Sequence, residues 1–353
     1  MKKIIEEIDF YSQRLKEAQS KLYSAQVGKS RQKIKVIDQE ITDNFSMYHG
    51  DCIELLKGIP DDSIHYSIFS PPFASLFVYS NTIRDMGNSK DEEFYDHFKF
   101  FVDDMYRVIM PGRLVSIHCA NIPAMKERDG YIGIKDFRSN IIRMFQDVGF
   151  IYHSEVCIWK DPLVAATRTK MLSLAHKQIS KDSSRCNMGI PDFIETMRKP
   201  GDNPEPISHG RGFEYYIGER REPQVKKHDD PAKNKYSHHV WQRYASPVWF
   251  DIRQGNTLNF RRAKEKNDER HICPLQLDVI ARCLELWTNK GDVVLSPFAG
   301  IGSEGYEAIR MNRKFIGIEL KKSYYDVAIR NLKYASRMKD KKKRKFFNED
   351  ESE

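Results

Sequence analysis

The stretch DVVLSPFAGIGSEGYEAI, residues 292–309, sets Gly300, Gly302 and Gly305 in a G-x-G-x-x-G pattern between an apolar run that reads as a strand and a segment that reads as a helix. Glycines in such a loop let the backbone approach a ligand closely, and the following helix offers free N–H groups at its start. The next apolar run, KFIGIEL, carries Glu319 near its end, where an acid grips ribose hydroxyls in nucleotide-binding sheets. The strongest constraint is where the loop stands. An ordinary dinucleotide-binding half needs more strands after this fingerprint, yet one strand, one helix (SYYDVAIRNLKYA) and a charged segment are all that follow here. The rest of the sheet has to come from upstream, so the expected order of parts is permuted.

Upstream, short apolar runs alternate with helix-like segments from about residue 46: FSMYHGD extended, CIELLKGIP helical, IHYSIFS a strand, EEFYDHFKFFVDDMYRVIMPGR a helix stopped by Pro111 and Gly112, RLVSIHC a strand, DFRSNIIRMFQDVGF a helix and IYHSEVCIWK a strand. This rhythm predicts a largely parallel sheet with helices on both faces. The first strand of the rhythm to end abruptly is IHYSIF, which runs into Ser70, Pro71, Pro72 and Phe73. Two prolines cannot continue a central strand, because each lacks an N–H and fixes φ near −65°. They set a short rigid loop at a strand end, which is where open α/β sheets bind ligands.

The rhythm breaks between about 161 and 262, a stretch dense in Pro, Gly, charges and aromatics such as Phe213, Tyr215, Tyr216, Trp241, Tyr244 and Trp249. It reads as an ordered insertion. Residues 1–40 carry Ile4, Ile5, Ile8, Leu15, Leu22 and Tyr23 as a loose helical stripe and are expected to form an amphipathic arm. The end, from 336 to 353, is a basic run followed by an acidic one and is expected to be disordered. A net charge of +8, with Lys and Arg spread through the middle of the chain, suits a polyanionic partner. No apolar stretch reaches the length of a membrane span, and the first residues lack the apolar segment of a signal peptide, so a cytoplasmic protein is expected. Cys52, Cys119, Cys157, Cys186, Cys273 and Cys283 form no CxxC pair, and neither a zinc site nor a disulfide framework is expected.

Taken together, Ser70-Pro71-Pro72-Phe73 early, an insertion, and Ser296-Pro297-Phe298-Ala299-Gly300-Ile301-Gly302-Ser303 late, with GIEL following, resemble the permuted (beta-type) class of S-adenosylmethionine-dependent DNA amino-methyltransferases. The resemblance covers roughly residues 45–335. It implies an α/β, Rossmann-like methyltransferase sheet with circularly permuted motif order: a catalytic half over 41–160, an inserted target-recognition region over 161–262 and a cofactor-binding half over 263–335. It also implies a possible homodimer. YHGDCIELL looks like the early Gly-Asp element of the class, which would put Asp51 near the cofactor adenine. Asp51, Ser296, Pro297, Phe298, Gly300, Gly302, Ser303 and Glu319 are the implied S-adenosylmethionine-binding residues. Two departures stand out: Ser296 replaces the usual Asp, and HICPLQ matches the His-Pro-rich element of the class only at His271 and Pro274.

At Ser70-Pro71-Pro72-Phe73 the chemistry is orientation. An exocyclic amine shares its lone pair with the ring, and acceptors on its N–H bonds favour the more nucleophilic form; Ser70 Oγ and the Pro71 carbonyl can serve. No metal is needed for this. Phe73 would stack on a base flipped out of double-stranded DNA. Serine at the first position commonly accompanies cytosine N4 in the class, whereas aspartate is commoner for adenine N6. His118 and His271 read as structural. A nicotinamide oxidoreductase using the same glycines and Glu319, or an inactive DNA-binding relative, are the competing expectations.

Overall fold

The computed structural model describes residues 36–72, 91–169, 173–259 and 274–350. Eleven strands and ten helices of four residues or more occur among them. The strands are β1 (Asp38–Ile41), β2 (Phe45–His49), β3 (Ile64–Phe69), β4 (Ile109–Cys119), β5 (Ile122–Ala124), β6 (Gly133–Lys135), β7 (Ile151–Ile158), β8 (Asp192–Arg198), β9 (Val248–Trp249), β10 (Val293–Ser296) and β11 (Lys314–Glu319). The helices are α1 (Cys52–Leu56), α2 (Asp91–Val108), α3 (Lys126–Asp129), α4 (Phe137–Val148), α5 (Pro162–Thr169), α6 (His176–Ile179), α7 (Lys235–Tyr244), α8 (Leu277–Trp287), α9 (Ser303–Arg310) and α10 (Lys322–Asp350).

Nine strands form one sheet in the order β1-β2-β11-β10-β3-β4-β8-β7-β9. The run from β2 to β4 is parallel, β8 is antiparallel to both its neighbours, and β1 adds an antiparallel edge. Consecutive apolar residues of the central strands serve opposite faces: Leu295 joins the core under α1, α2 and α4, while Val294 joins the core under α8, α9 and α10. This two-sided burial is why these strands read as unbroken apolar runs. The α/β class expected from the rhythm is the observed one.

Four details differ from the reading of the sequence. Helix α2 stops at Val108, because Ile109 pairs with Ile64 and begins β4; Pro111 and Gly112 sit inside that strand, at the break in register where Ile64/Ile109 gives way to Tyr66/Leu114. A proline is tolerated in a sheet at such an irregularity. Secondly, 161–262 is not wholly outside the sheet. Its β8 lies between β4 and β7, and β9 extends the edge. The strand was hidden because its apolar run is broken by Glu195, which is fully buried and held by Arg138 and by the Tyr152 hydroxyl at 2.7 Å. Thirdly, residues 38–41, at the end of the expected helical arm and the start of the segment after it, form β1; residues 1–35 lie outside the described residues. Fourthly, the segment from 336, expected to be disordered, continues α10 to Asp350, in keeping with its many helix-favouring Lys, Arg and Met residues.

Buried ion pairs fasten the insertion and the loops to this frame. Arg282 of α8, fully buried, donates to the Ile217 carbonyl through Nε (2.8 Å) and Nη2 (2.6 Å) and pairs with Asp251 at 2.9 Å, while its guanidinium lies against Tyr244 and Trp249. Arg113 of β4, also fully buried, donates to Asp292 at 2.9 Å, just before β10. His65 and Glu205 converge on the same group, and Arg113 supplies its positive charge. Removing one member of a buried pair strands the other charge in low dielectric. Arg113→Met should therefore cost about 3–5 kcal/mol of unfolding free energy, read as a lower urea midpoint, and the double variant Arg113→Met/Asp292→Asn should recover part of the loss.

Candidate active site

The carboxyl edge of the sheet collects residues from both ends of the chain. Across the strand order it carries Asp51 after β2, Glu319 ending β11, Ser296 ending β10, Ser70 after β3, His118 in β4 and Asp192 opening the antiparallel β8. The parallel pair β3–β10, with Ser67 opposite Leu295, is what sets Ser70 beside the glycine loop. The Ser67 hydroxyl donates to the Leu295 carbonyl at 2.9 Å and fixes that register.

The glycine loop is pinned by Glu319. Its Oε2 accepts from the Gly300 N–H and its Oε1 from the Lys321 N–H, both at 2.8 Å. Gly300 (φ +52°) and Gly302 (φ +83°) take left-handed conformations, and a Cβ added at Gly300 would meet nothing within 4 Å, so the backbone there faces open space. Gly305 serves packing instead. A Cβ there would lie 2.4 Å from the Phe315 ring, so its absence allows α9 to close on β11. Ser303 is the first residue of α9 and is buried. Ser296 is fully buried and its Oγ has no hydrogen-bond partner among the described residues. Pro297 is buried, and the Phe298 ring packs on Phe69 and Phe101 at 5.6 and 5.0 Å, anchoring the loop beside the strand that delivers Ser70. On the far side Asp51 caps α1, accepting from the Ile53 N–H at 3.0 Å, and the Gly50 N–H donates to the Glu319 carbonyl.

On the other side of Ser70, its Oγ lies 2.8 Å from His118 Nδ1. His118 Nε2 lies 3.1 Å from Asp192 Oδ2, and Lys160, just beyond β7, pairs with the other oxygen of that carboxylate. Burial alone would raise the Asp192 pKa, but Lys160 and His118 outweigh it and hold the carboxyl down at about 2. Pro71 is buried, Pro72 half-buried, and Phe73 lies outside the described residues, as does His271. His118 read as structural in the sequence; the structure puts it on the Ser70 hydroxyl. Nothing in the linear sequence pointed to this, because its partner Asp192 lies in the unrecognised strand β8.

The second residue missed is Glu304, in the first turn of α9. It is buried and no side chain bonds to it among the described residues. Burial first, opposed by its own backbone N–H, and the nearby Glu319 carboxylate in addition, push its pKa up to about 8. The start of α9 therefore holds an acid that is protonated near neutral pH, close to the Glu319 carboxyl group.

Comparison with known proteins bears on this edge. A family model described as a DNA methylase, of the N6/N4 methyltransferase kind, matches residues 64–330. The chain belongs to this family. It is 47% identical over 278 residues to the orphan methyltransferase M.BamHII of Bacillus amyloliquefaciens, covering 78% of this chain and 91% of that one. It is 23% identical over 313 residues to the type II methyltransferase M.MjaI of Methanocaldococcus jannaschii, covering 80% and 89%. Among solved structures, the PvuII DNA methyltransferase, described as cytosine-N4-specific, superposes with a TM-score of 0.57 at 19% identity over 84% of this chain and 90% of that one. A DNA modification methylase of Thermus thermophilus, TTHA0409, in complex with S-adenosyl-L-methionine, gives 0.56 at 20% identity over 83% and 96%. The protein is thus a DNA amino-methyltransferase that uses S-adenosylmethionine as methyl donor and acts on cytosine N4 or adenine N6.

Glu304 gives a pH-dependent test of the loop. Its pKa is raised in the folded protein, so its contribution to stability is complete below the unfolded value near 4.5 and is lost as pH rises through about 8. Glu304→Gln should leave the melting temperature little changed at pH 5 and raise it at pH 9, a stabilisation on the order of a few kcal/mol. Thermal melts at the two pH values provide the check.

Proposed function

We propose that the enzyme methylates cytosine N4 in double-stranded DNA at a specific sequence, acting on a base turned out of the helix. The observation that carries this reading is Ser70: a neutral hydroxyl, held by His118, at the mouth of a loop that two prolines make rigid, with the glycine loop on the neighbouring strand. Serine at this position accompanies cytosine N4 in the class that the sequence resembles, and the PvuII enzyme is described as cytosine-N4-specific.

In this reading Ser70 Oγ and the Pro71 carbonyl accept the two N–H groups of the target amine and turn its lone pair out of conjugation with the ring. The work is positioning of two reactants and preorganised polarity, which requires no strong base at the moment of attack. Phe73 stacks on the extruded ring and returns part of the unstacking cost, about 1–3 kcal/mol. Glu319 accepts the ribose hydroxyls of the cofactor, Asp51 lies toward its adenine, and Ser296 to Ser303 form the cradle. The open space before Gly300 and the unpartnered Ser296 hydroxyl suit a bound polar ligand. S-adenosylmethionine supplies an electrophilic sulfonium methyl. Target selection falls to 161–262, whose half-exposed Trp241 and Phe250, the latter stacked with Arg220 at 3.9 Å, offer aromatic and cationic groups to a duplex.

Incubation of the protein with unmethylated bacterial DNA and S-adenosylmethionine, followed by digestion and mass spectrometry of the nucleosides, should yield N4-methylcytosine. N6-methyladenine instead would transfer the same mechanism to adenine and overturn the choice of base. Ser70→Ala should lower the methyl-transfer rate by at least about 100-fold with S-adenosylmethionine affinity within about threefold of wild type; an unchanged rate would remove Ser70 from the reaction.

A further inference from the structure

We propose that His118, oriented by Asp192, is the acceptor of the proton that the target amine must lose, with the Ser70 hydroxyl as the relay between them. The inference rests on the reading of Ser70 as the amine-binding group and adds what that reading leaves open. A neutral amine that gains a methyl group has to shed a proton, and a serine hydroxyl is too weak a base to keep one.

The geometry supplies the sink. Asp192 is anionic, buried and charge-balanced by Lys160, and it faces His118 Nε2 at 3.1 Å. Asp192 is the ion-pair neighbour of Nε2, and its charge favours the tautomer that carries the proton there. Nδ1 is then the lone-pair nitrogen, and it is the one that faces Ser70 Oγ at 2.8 Å. The Ser70 O–H donates to Nδ1, which leaves the lone pairs of Oγ for an amine N–H. In the transfer step the amine lone pair forms the N–CH₃ bond while the S–CH₃ bond breaks, its electron pair remaining on sulfur as a thioether. One amine proton passes to Ser70 Oγ as the Ser70 proton passes to His118 Nδ1. An imidazolium then faces the Asp192 carboxylate, and it returns its proton to water once product leaves. Among the described residues the charged groups nearest His118 are Asp192 from β8 and Lys160 from the end of β7; further along β8, Glu195 is neutralised by Arg138 of α4. Reactive serine–histidine–carboxylate arrays share this logic of a third group fixing the tautomer of the second. Here the serine relays a proton without forming a covalent bond. His118 touches the substrate only through Ser70, so it is a positioning and proton-accepting residue.

The experiment measures single-turnover methyl transfer between about pH 5 and 9 for wild type, His118→Asn and Asp192→Asn. S-adenosylmethionine affinity and thermal stability are measured on the same samples. For wild type the rate is expected to rise with pH along one limb and then level. His118→Asn is expected to be slower by about 10²–10⁴-fold and to lose that limb, with cofactor affinity intact. Asp192→Asn is expected to be slower as well, with cofactor affinity intact, because the imidazole has lost the carboxylate that fixes its tautomer. Should His118→Asn fail to fold, the Asp192→Asn rate decides alone. A His118→Asn or Asp192→Asn rate within threefold of wild type, or an unchanged limb in His118→Asn, overturns the proposal. Ser70→Ala, run in parallel, separates the two levels: if it is slow while His118→Asn is not, only the relay falls, and if it is fast, the reading of Ser70 falls with it.

Discussion

The parallel pairing of β3 with β10 is the contact on which the site depends. It joins strands from opposite ends of the chain, with Ser67 opposite Leu295 and a hydroxyl-to-carbonyl bond across them. Both strands end at the same edge, so the proline loop and the glycine loop emerge side by side. Phe298 packing on Phe69 and Phe101 then closes the space beneath them. Glu319 continues the same pattern one strand further, using both oxygens on backbone N–H groups to hold the glycine loop open. A shift of register in this pair would separate the two loops without disturbing either one locally.

Charge is distributed unevenly across the molecule. The buried acids Asp104, Asp192, Glu195, Asp251, Asp278, Asp292 and Glu307 each face an arginine or lysine. Glu304, in the first turn of α9 directly after the glycine loop, is the exception among the described residues. Unpaired burial of an acid is costly unless it is neutral or meets a cation. The pairs elsewhere fasten structure: Arg282 ties the 217–251 segment to α8, and Arg113 ties β4 to the turn before β10.

Much of this was legible in the sequence because it is local. The strand–loop–helix around Gly300, the strand ending at Ser70-Pro71-Pro72 and the acid at Glu319 are each a short run whose residue types admit few conformations, and the structure brings them to one edge. The late glycine loop also foretold that upstream strands must complete the sheet around β10 and β11, as they do. What escaped was long-range. Strand β8 is disguised by buried Glu195, which looks polar until Arg138 and Tyr152 are brought to it from other elements. With β8 unseen, Asp192 had no place, and His118 read as an ordinary buried histidine. The reach of α10 to Asp350 was likewise obscured, because charge runs say more about solvation than about helix propensity. Glu304 is a third case: its burial comes from α9 closing on β11 and α10, which no local pattern reports.

The central claim is that the methyl donor and the target amine meet between the glycine loop and Ser70. A crystal structure of the enzyme with S-adenosylmethionine tests this most directly. Ribose hydroxyls are predicted on Glu319, the methionine end over Ser296 to Ser303, and the sulfonium methyl turned toward Ser70 Oγ and the Pro71 carbonyl. A cofactor seated elsewhere, for instance in the cavity lined by Arg211, Arg253 and Arg310, or one bound in the loop with its methyl directed away from Ser70, would contradict it.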